Sequence, residues 1–169
     1  MTELRDWDFT PNWQQRWTEW MNPGGHGSIA DVRNEKIAWT PLAMPLADCT
    51  VALLTSGGVH LRTQTPYDVL KKDGDWTWRE IPSDAPADAL TITHTHYNHV
   101  DADRDINCML PMDRLRELRD AGVIRAVAPT LFGVMGWVPD SRSTVRDTVP
   151  EIVRRANAEK VDVMVLSPG

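Results

Sequence analysis

The sequence predicts an α/β domain built on an open, mainly parallel sheet, with the three-layer wrapping of flavodoxin- or Rossmann-like folds. Two observations predict it. Short apolar runs near 50–55, 89–93, 123–128 and 161–166 have the length and composition of buried strands. Helix-like stretches, 111–122 and about 142–159, separate the later ones. A third observation sets residues 1–40 apart from the domain at 41–169. Trp13, Trp17 and Trp20 recur at i, i+4, i+7, so they share one face of a short helix in a Trp-rich N-terminal arm.

Composition narrows the function classes. A chain of 169 residues fits one domain, and 41% apolar with 25% charged residues fits a soluble one. The net charge of −6 argues against a nucleic-acid partner, because phosphate binding needs a basic face. No window is apolar enough to span a bilayer, and the N-terminus lacks a charged-then-apolar signal pattern. Cys49 and Cys108 alone do not form a disulfide framework, so a cytoplasmic location is expected.

Along the chain, Cys49 to Thr55 reads as a buried strand closed by Ser56-Gly57-Gly58, with His60 just outside it. Trp76-Thr77-Trp78 alternates like an edge strand. Pro111 opens the next helix, Leu115 and Leu118 line one face of it, and Gly122 stops it. Pro129 to Trp137 reads as an uncharged loop with two glycines. Asp140 or Ser141 caps the second helix, which Pro150 should kink or restart.

Reactive side chains concentrate at 91–107. His94, His96 and His99 fall within six positions, and Asp101, Asp103 and Asp105 follow. A crowded loop just past a strand is what the carboxyl edge of an open sheet offers a ligand. Thr-His-x-His-x-x-His resembles the metallo-β-lactamase-type hydrolase signature, but Asn98 replaces its Asp and no His follows His99. The expected site therefore carries no metal. His60, His94, His96 and Asp101 are expected to contact substrate or move protons, with Cys108 as a redox participant. Ser56, Gly57 and Gly58 are expected to supply backbone donors. Tyr97, Asp103 and Asp105 are expected beside the substrate, with Phe132, Gly133 and Met135 as an uncharged wall. For each aspartate, a loop or helix-cap hydrogen bond is the alternative.

Several segments together carry a resemblance. They are Trp39-Thr40-Pro41-Leu42, Val51 to His60, His94-Thr95-His96-Tyr97, Asp101 to Cys108 with Pro111-Met112-Asp113-Arg114-Leu115, and Phe132 to Gly136. They are similar to the selenoprotein B family of glycine, sarcosine, betaine and D-proline reductases. The resemblance implies reductive cleavage of a carbon–nitrogen bond in a small amine or amino acid by a selenolate or thiolate. It also implies a reductase partner subunit, which in the proline-reductase branch carries a pyruvoyl group. The family's redox pair, Cys-x-x-Cys or its selenocysteine form, follows the strand at 161–166, and no counterpart lies within these residues. Selenocysteine or a cysteine pair is thus expected beyond residue 169 or from a partner. The expectation extends to a chain truncated at a selenocysteine codon or naturally short. A non-catalytic binding or scaffold subunit is the alternative, and a His-based metal-dependent hydrolase is the further one. Self-association is expected to cover apolar sheet surface left bare, giving a homo-oligomer.

Overall fold

The computed structural model describes residues 40–139 and 141–168. The Trp-rich arm and the capping residue Asp140 lie outside the described residues. Strand β1, Thr50–Thr55, is the centre of the main sheet, and all but one of its residues are buried. On one side it pairs in parallel with β7, Val163–Ser167, over its length from Val51 to Thr55. On the other it pairs in parallel first with β5, Ala126–Val127, and then with β6, Thr130–Val134. Strand β3, Trp78–Pro82, closes that side as an antiparallel edge. The fold is thus mixed α/β with a mostly parallel main sheet.

Alternation along β1 divides the core. Val51 and Leu53 face a cluster containing Val59, Leu110, Met112 and Leu115, whereas Ala52 packs with Phe132, Ile152 and Ala156. Met112 and Leu115 belong to helix α2, Met112–Asp120, which runs between the expected Pro and Gly. Gly122 has φ +70, and the Gly122 and Val123 N–H groups donate to the Arg119 and Leu118 carbonyls. That left-handed cap satisfies carbonyls the helix would otherwise leave bare. Ile152 and Ala156 sit one turn apart on helix α3, Val149–Ala158. A turn at Ser141–Ser143 and a π-helical stretch, Thr144–Thr148, lead into it. Pro150 cannot donate within a helix, and here it falls in the first turn after the π stretch, where no donor is needed.

Two strand assignments need correction. The run at 89–93 was expected in the parallel sheet. It forms β4, Leu90–Ile92, which pairs antiparallel with β2, Val59–Leu61, in a separate two-stranded sheet. Three residues are too few for periodicity to encode direction, and the partner strand contains His60, which was expected outside a strand. The run Pro129 to Trp137 was expected as a loop, yet Thr130 to Val134 form the fully paired strand β6. Pro129 breaks the hydrogen-bond ladder between β5 and β6, which disguises a single interrupted strand as strand plus loop. Gly133 is required by proximity: a Cβ there would collide with the Val59 carbonyl and come within 3.0 Å of Tyr67 Oη.

Between β4 and α2 the aspartate run forms a short helix, α1, Val100–Arg104, and a 3-10 turn, Ile106–Cys108. Val165 and Leu166 of β7 are exposed. No helix among the described residues is long and apolar enough to cross a membrane. Replacing Gly133 with Ala overpacks the contact between the two sheets. We expect it to cost about 1–3 kcal/mol, read as a lower denaturant midpoint.

Candidate functional site

The loops after β1 and β6 meet at one rim because these strands run parallel. The Ser56 carbonyl accepts from Gly136 N–H at 2.8 Å, and Gly57 bridges Met135. The end of β7 arrives at the same place. Ser167 stands opposite Thr55, and its carbonyl accepts from Ser56 N–H at 3.1 Å. The antiparallel β2–β4 pair then returns the chain to this turn: the Gly58 carbonyl accepts from Thr93 N–H at 2.9 Å.

The glycines are needed for this return. Gly58 has φ +72, and a Cβ there would strike the Thr93 carbonyl and come within 3.2 Å of His94 Cβ. A Cβ on Gly57 would lie 2.5 Å from the Met109 methyl and 3.2 Å from Tyr97 Oη. The expected backbone donors are corrected here. Ser56 N–H donates to Ser167, Gly57 N–H to Thr55 Oγ1 at 3.1 Å, and Gly58 N–H to the Val134 carbonyl at 3.0 Å. All three are committed within the protein, because the turn is itself a strand junction. The histidine loop rests on it through Thr93 and His94.

Tyr97 holds that loop down. Its hydroxyl donates to the Gly57 carbonyl at 2.8 Å, and burial, aided by the nearby Asp103 charge, pushes its pKa up to about 12. The ring therefore stays protonated and keeps donating. His94 is buried against Tyr97, with ring centres 4.7 Å apart, and against the edge of His96 at 5.8 Å. His96 is exposed and stacks flat on Trp137, 4.2 Å away with an interplanar angle of 8°. Trp137 was not singled out as a site residue, although the uncharged loop expected at 129–137 ends on it. His99 donates from Nδ1 to Asp103 at 2.8 Å, one helical turn along.

Among the described residues, His60 touches the base of the histidine loop only through Thr93. It is 2% exposed, donates from Nδ1 to the Leu61 carbonyl and pairs through Nε2 with Thr93 Oγ1, both at 2.8 Å. Both ring nitrogens are thus bound to the protein, next to the residue that precedes His94. Asp101 is exposed and pairs with Arg104. Met135 is buried, and Phe132 is fully buried in the core on the α3 side, away from solvent.

Asp105 takes the capping role. Its carboxylate accepts from the Asn107 backbone and side chain, interactions that hold its pKa below the ordinary range. Asn107 also donates to Asp113 and accepts from the Asp113 N–H, and Arg116 joins Asp113 to the Ser83 and Ala85 carbonyls. Exposed Cys108 sits at the end of this clamped turn. Among the described residues no group of three or more His, Cys, Asp or Glu is placed to hold a metal ion.

The fold and rim define a mixed α/β domain that gathers imidazole, aromatic and glycine-bearing turns where its parallel strands end. The family of glycine/sarcosine/betaine reductase selenoprotein B proteins matches residues 31–168, and the chain belongs to it. It is 39% identical over 131 residues to the D-proline reductase subunit gamma of Acetoanaerobium sticklandii. The alignment covers 78% of this chain and 53% of that protein, so the chain spans about half the length of this curated relative. No solved structure matches the chain.

Two predictions follow from the clamp and the buried ring. Asn107→Ala removes the side-chain link between Asp105 and Asp113 and should cost about 1–3 kcal/mol in denaturant unfolding. Burial, with His96 and then His99 nearby, lowers the pKa of His94. The unfolded chain then binds a proton there more readily than the folded one. This contribution to stability is complete above the unfolded value, about 6.5, and is lost as pH falls through the folded one. A denaturant-midpoint profile should decline below that pH and flatten in His94→Gln.

Proposed function

We propose that this domain is the substrate rim of a selenol- or thiol-dependent reductase that cleaves a carbon–nitrogen bond of a small amine or amino acid. Its sheet is read as the centre of a flavodoxin-like three-layer domain. The observation that carries the proposal is the register of β7: the strand ends opposite Thr55, against the turn that seats His94 and Tyr97. A group carried just past β7 would therefore work beside the imidazoles, in keeping with sites at the carboxyl edge of open sheets. The relative described as a D-proline reductase subunit and the shared family support the same chemistry.

The redox nucleophile comes, in this reading, from outside these 169 residues. Cys49 is buried, Cys108 is exposed, and they do not form a Cys-x-x-Cys pair. A selenocysteine or cysteine pair would supply a soft, readily ionised nucleophile, and a partner's pyruvoyl group would activate the amine. This chain's residues would bind the substrate, orient it and exclude water. We place the complex in the cytoplasm and assign self-association to the exposed apolar side of β7.

A non-catalytic binding subunit of such a complex is the second reading. The two are separated by reconstitution. These 169 residues should show no substrate-dependent dithiol oxidation alone. They should support it when combined with a chain that carries the redox pair and the pyruvoyl subunit. A complex that forms without turnover identifies a binding subunit. Light scattering should give a species larger than 19.1 kDa, the mass of the single chain.

A further inference from the structure

The histidine loop determines where one of its rings carries a proton. The backbone N–H of His96 donates to Nδ1 of His94 at 3.0 Å. An N–H donates only to a nitrogen that lacks a proton, so the neutral ring must carry its hydrogen on Nε2. A second proton, on Nδ1, would set two N–H groups against each other at that distance. Nε2 makes no hydrogen bond among the described residues. The ring is otherwise enclosed: it is 8% exposed, with Tyr97, His96 and the Gly58 turn around it.

The groups around His94 oppose protonation. His96 and His99 are cationic when protonated, and Tyr97 stays neutral. Asp103, the carboxylate near Tyr97, is engaged with His99. Removing the proton from Nε2 would leave an imidazolate, which lies far outside the range in which histidine titrates.

The geometry points to His94 as a fixed, neutral Nε2–H donor that takes a carboxylate oxygen of an amino-acid substrate, and not as a group that collects or releases a proton. This assignment rests on the substrate-rim reading proposed above. The choice of the carboxylate follows from hydrogen-bond complementarity. A protonated or quaternary amine offers no lone pair, whereas a carboxylate only accepts. A neutral donor can thus orient the acid end of such a molecule and leave its nitrogen end turned away.

The test uses the full chain in complex with its partners and has two arms. Long-range nitrogen–proton spectra of the histidine rings should show the neutral His94 ring protonated on Nε2 alone at about pH 7.5. A proton on Nδ1 at neutral pH would overturn the assignment. In the second arm, D-proline and betaine are titrated against wild type, His94→Gln and His94→Ala, with pyrrolidine as the analogue that lacks the carboxylate and any other acceptor. His94→Ala should weaken binding of the two acids roughly 10- to 100-fold. His94→Gln, which retains a neutral N–H, should restore most of that loss, and pyrrolidine should bind weakly and equally to all three. Acid binding unaffected by His94→Ala rejects the donor role alone. No acid binding by the wild type rejects both the donor role and the substrate-rim reading.

Discussion

The structure depends on one close approach, that of Thr93 and His94 onto Gly58. Gly58 donates to β6 through its N–H and accepts from Thr93 through its carbonyl, so one residue joins the main sheet to the β2–β4 pair. Its φ of +72 and the crowding at its Cβ position exclude a side chain. Gly133 repeats the device at the next residue pair, where the Val59 carbonyl occupies the space of its missing Cβ. Two small sheets can therefore meet backbone to backbone. Polar main-chain groups at that junction remain paired, which buried backbone requires.

The parts of the fold legible in the sequence are those with local punctuation. Cys49 to Thr55 is a continuous apolar run, and Pro111 and Gly122 bracket a helix whose cap has the geometry that a glycine allows. What escaped depends on partners distant in the chain. Val59–Leu61 and Leu90–Ile92 are too short to announce their direction, and it is mutual pairing that makes them strands. Pro129 and Gly133 carry loop signals, but one interrupts a ladder and the other relieves a clash.

At the site, residue types were legible and their hydrogen-bond assignments were not. The loop from His94 to His99 and the Gly-Gly turn do converge. Yet the turn's N–H groups are bound to Thr55, Val134 and Ser167, a fact that follows from sheet register and leaves no mark on sequence. The most distinctive motif, Asp105-Ile106-Asn107 followed by Pro111-x-Asp113-Arg114-Leu115, is a clamp: Asn107 ties Asp105 to Asp113, and Arg116 ties Asp113 to the loop at 83–85. A distinctive motif can thus mark the scaffold that holds a site rather than the group that reacts.

The strand whose direction was mistaken explains how compact the rim is. In a parallel sheet, the loop after a strand at 89–93 would leave at the same edge but beside whichever strand lay next to it. Because β4 instead runs antiparallel to β2, and β2 begins just after the turn that ends β1, the chain leaving β4 comes back to that turn. Thr93 bonds to Gly58, His94 lies against it, and Tyr97 reaches Gly57. The parallel strands β1, β6 and β7 meanwhile deliver Gly57, Met135 and Ser167 to the same edge. An antiparallel return superimposed on a parallel edge concentrates four chain segments around one turn. The conformation at Gly58 permits that return, and His94 inherits its fixed tautomer from the loop it anchors.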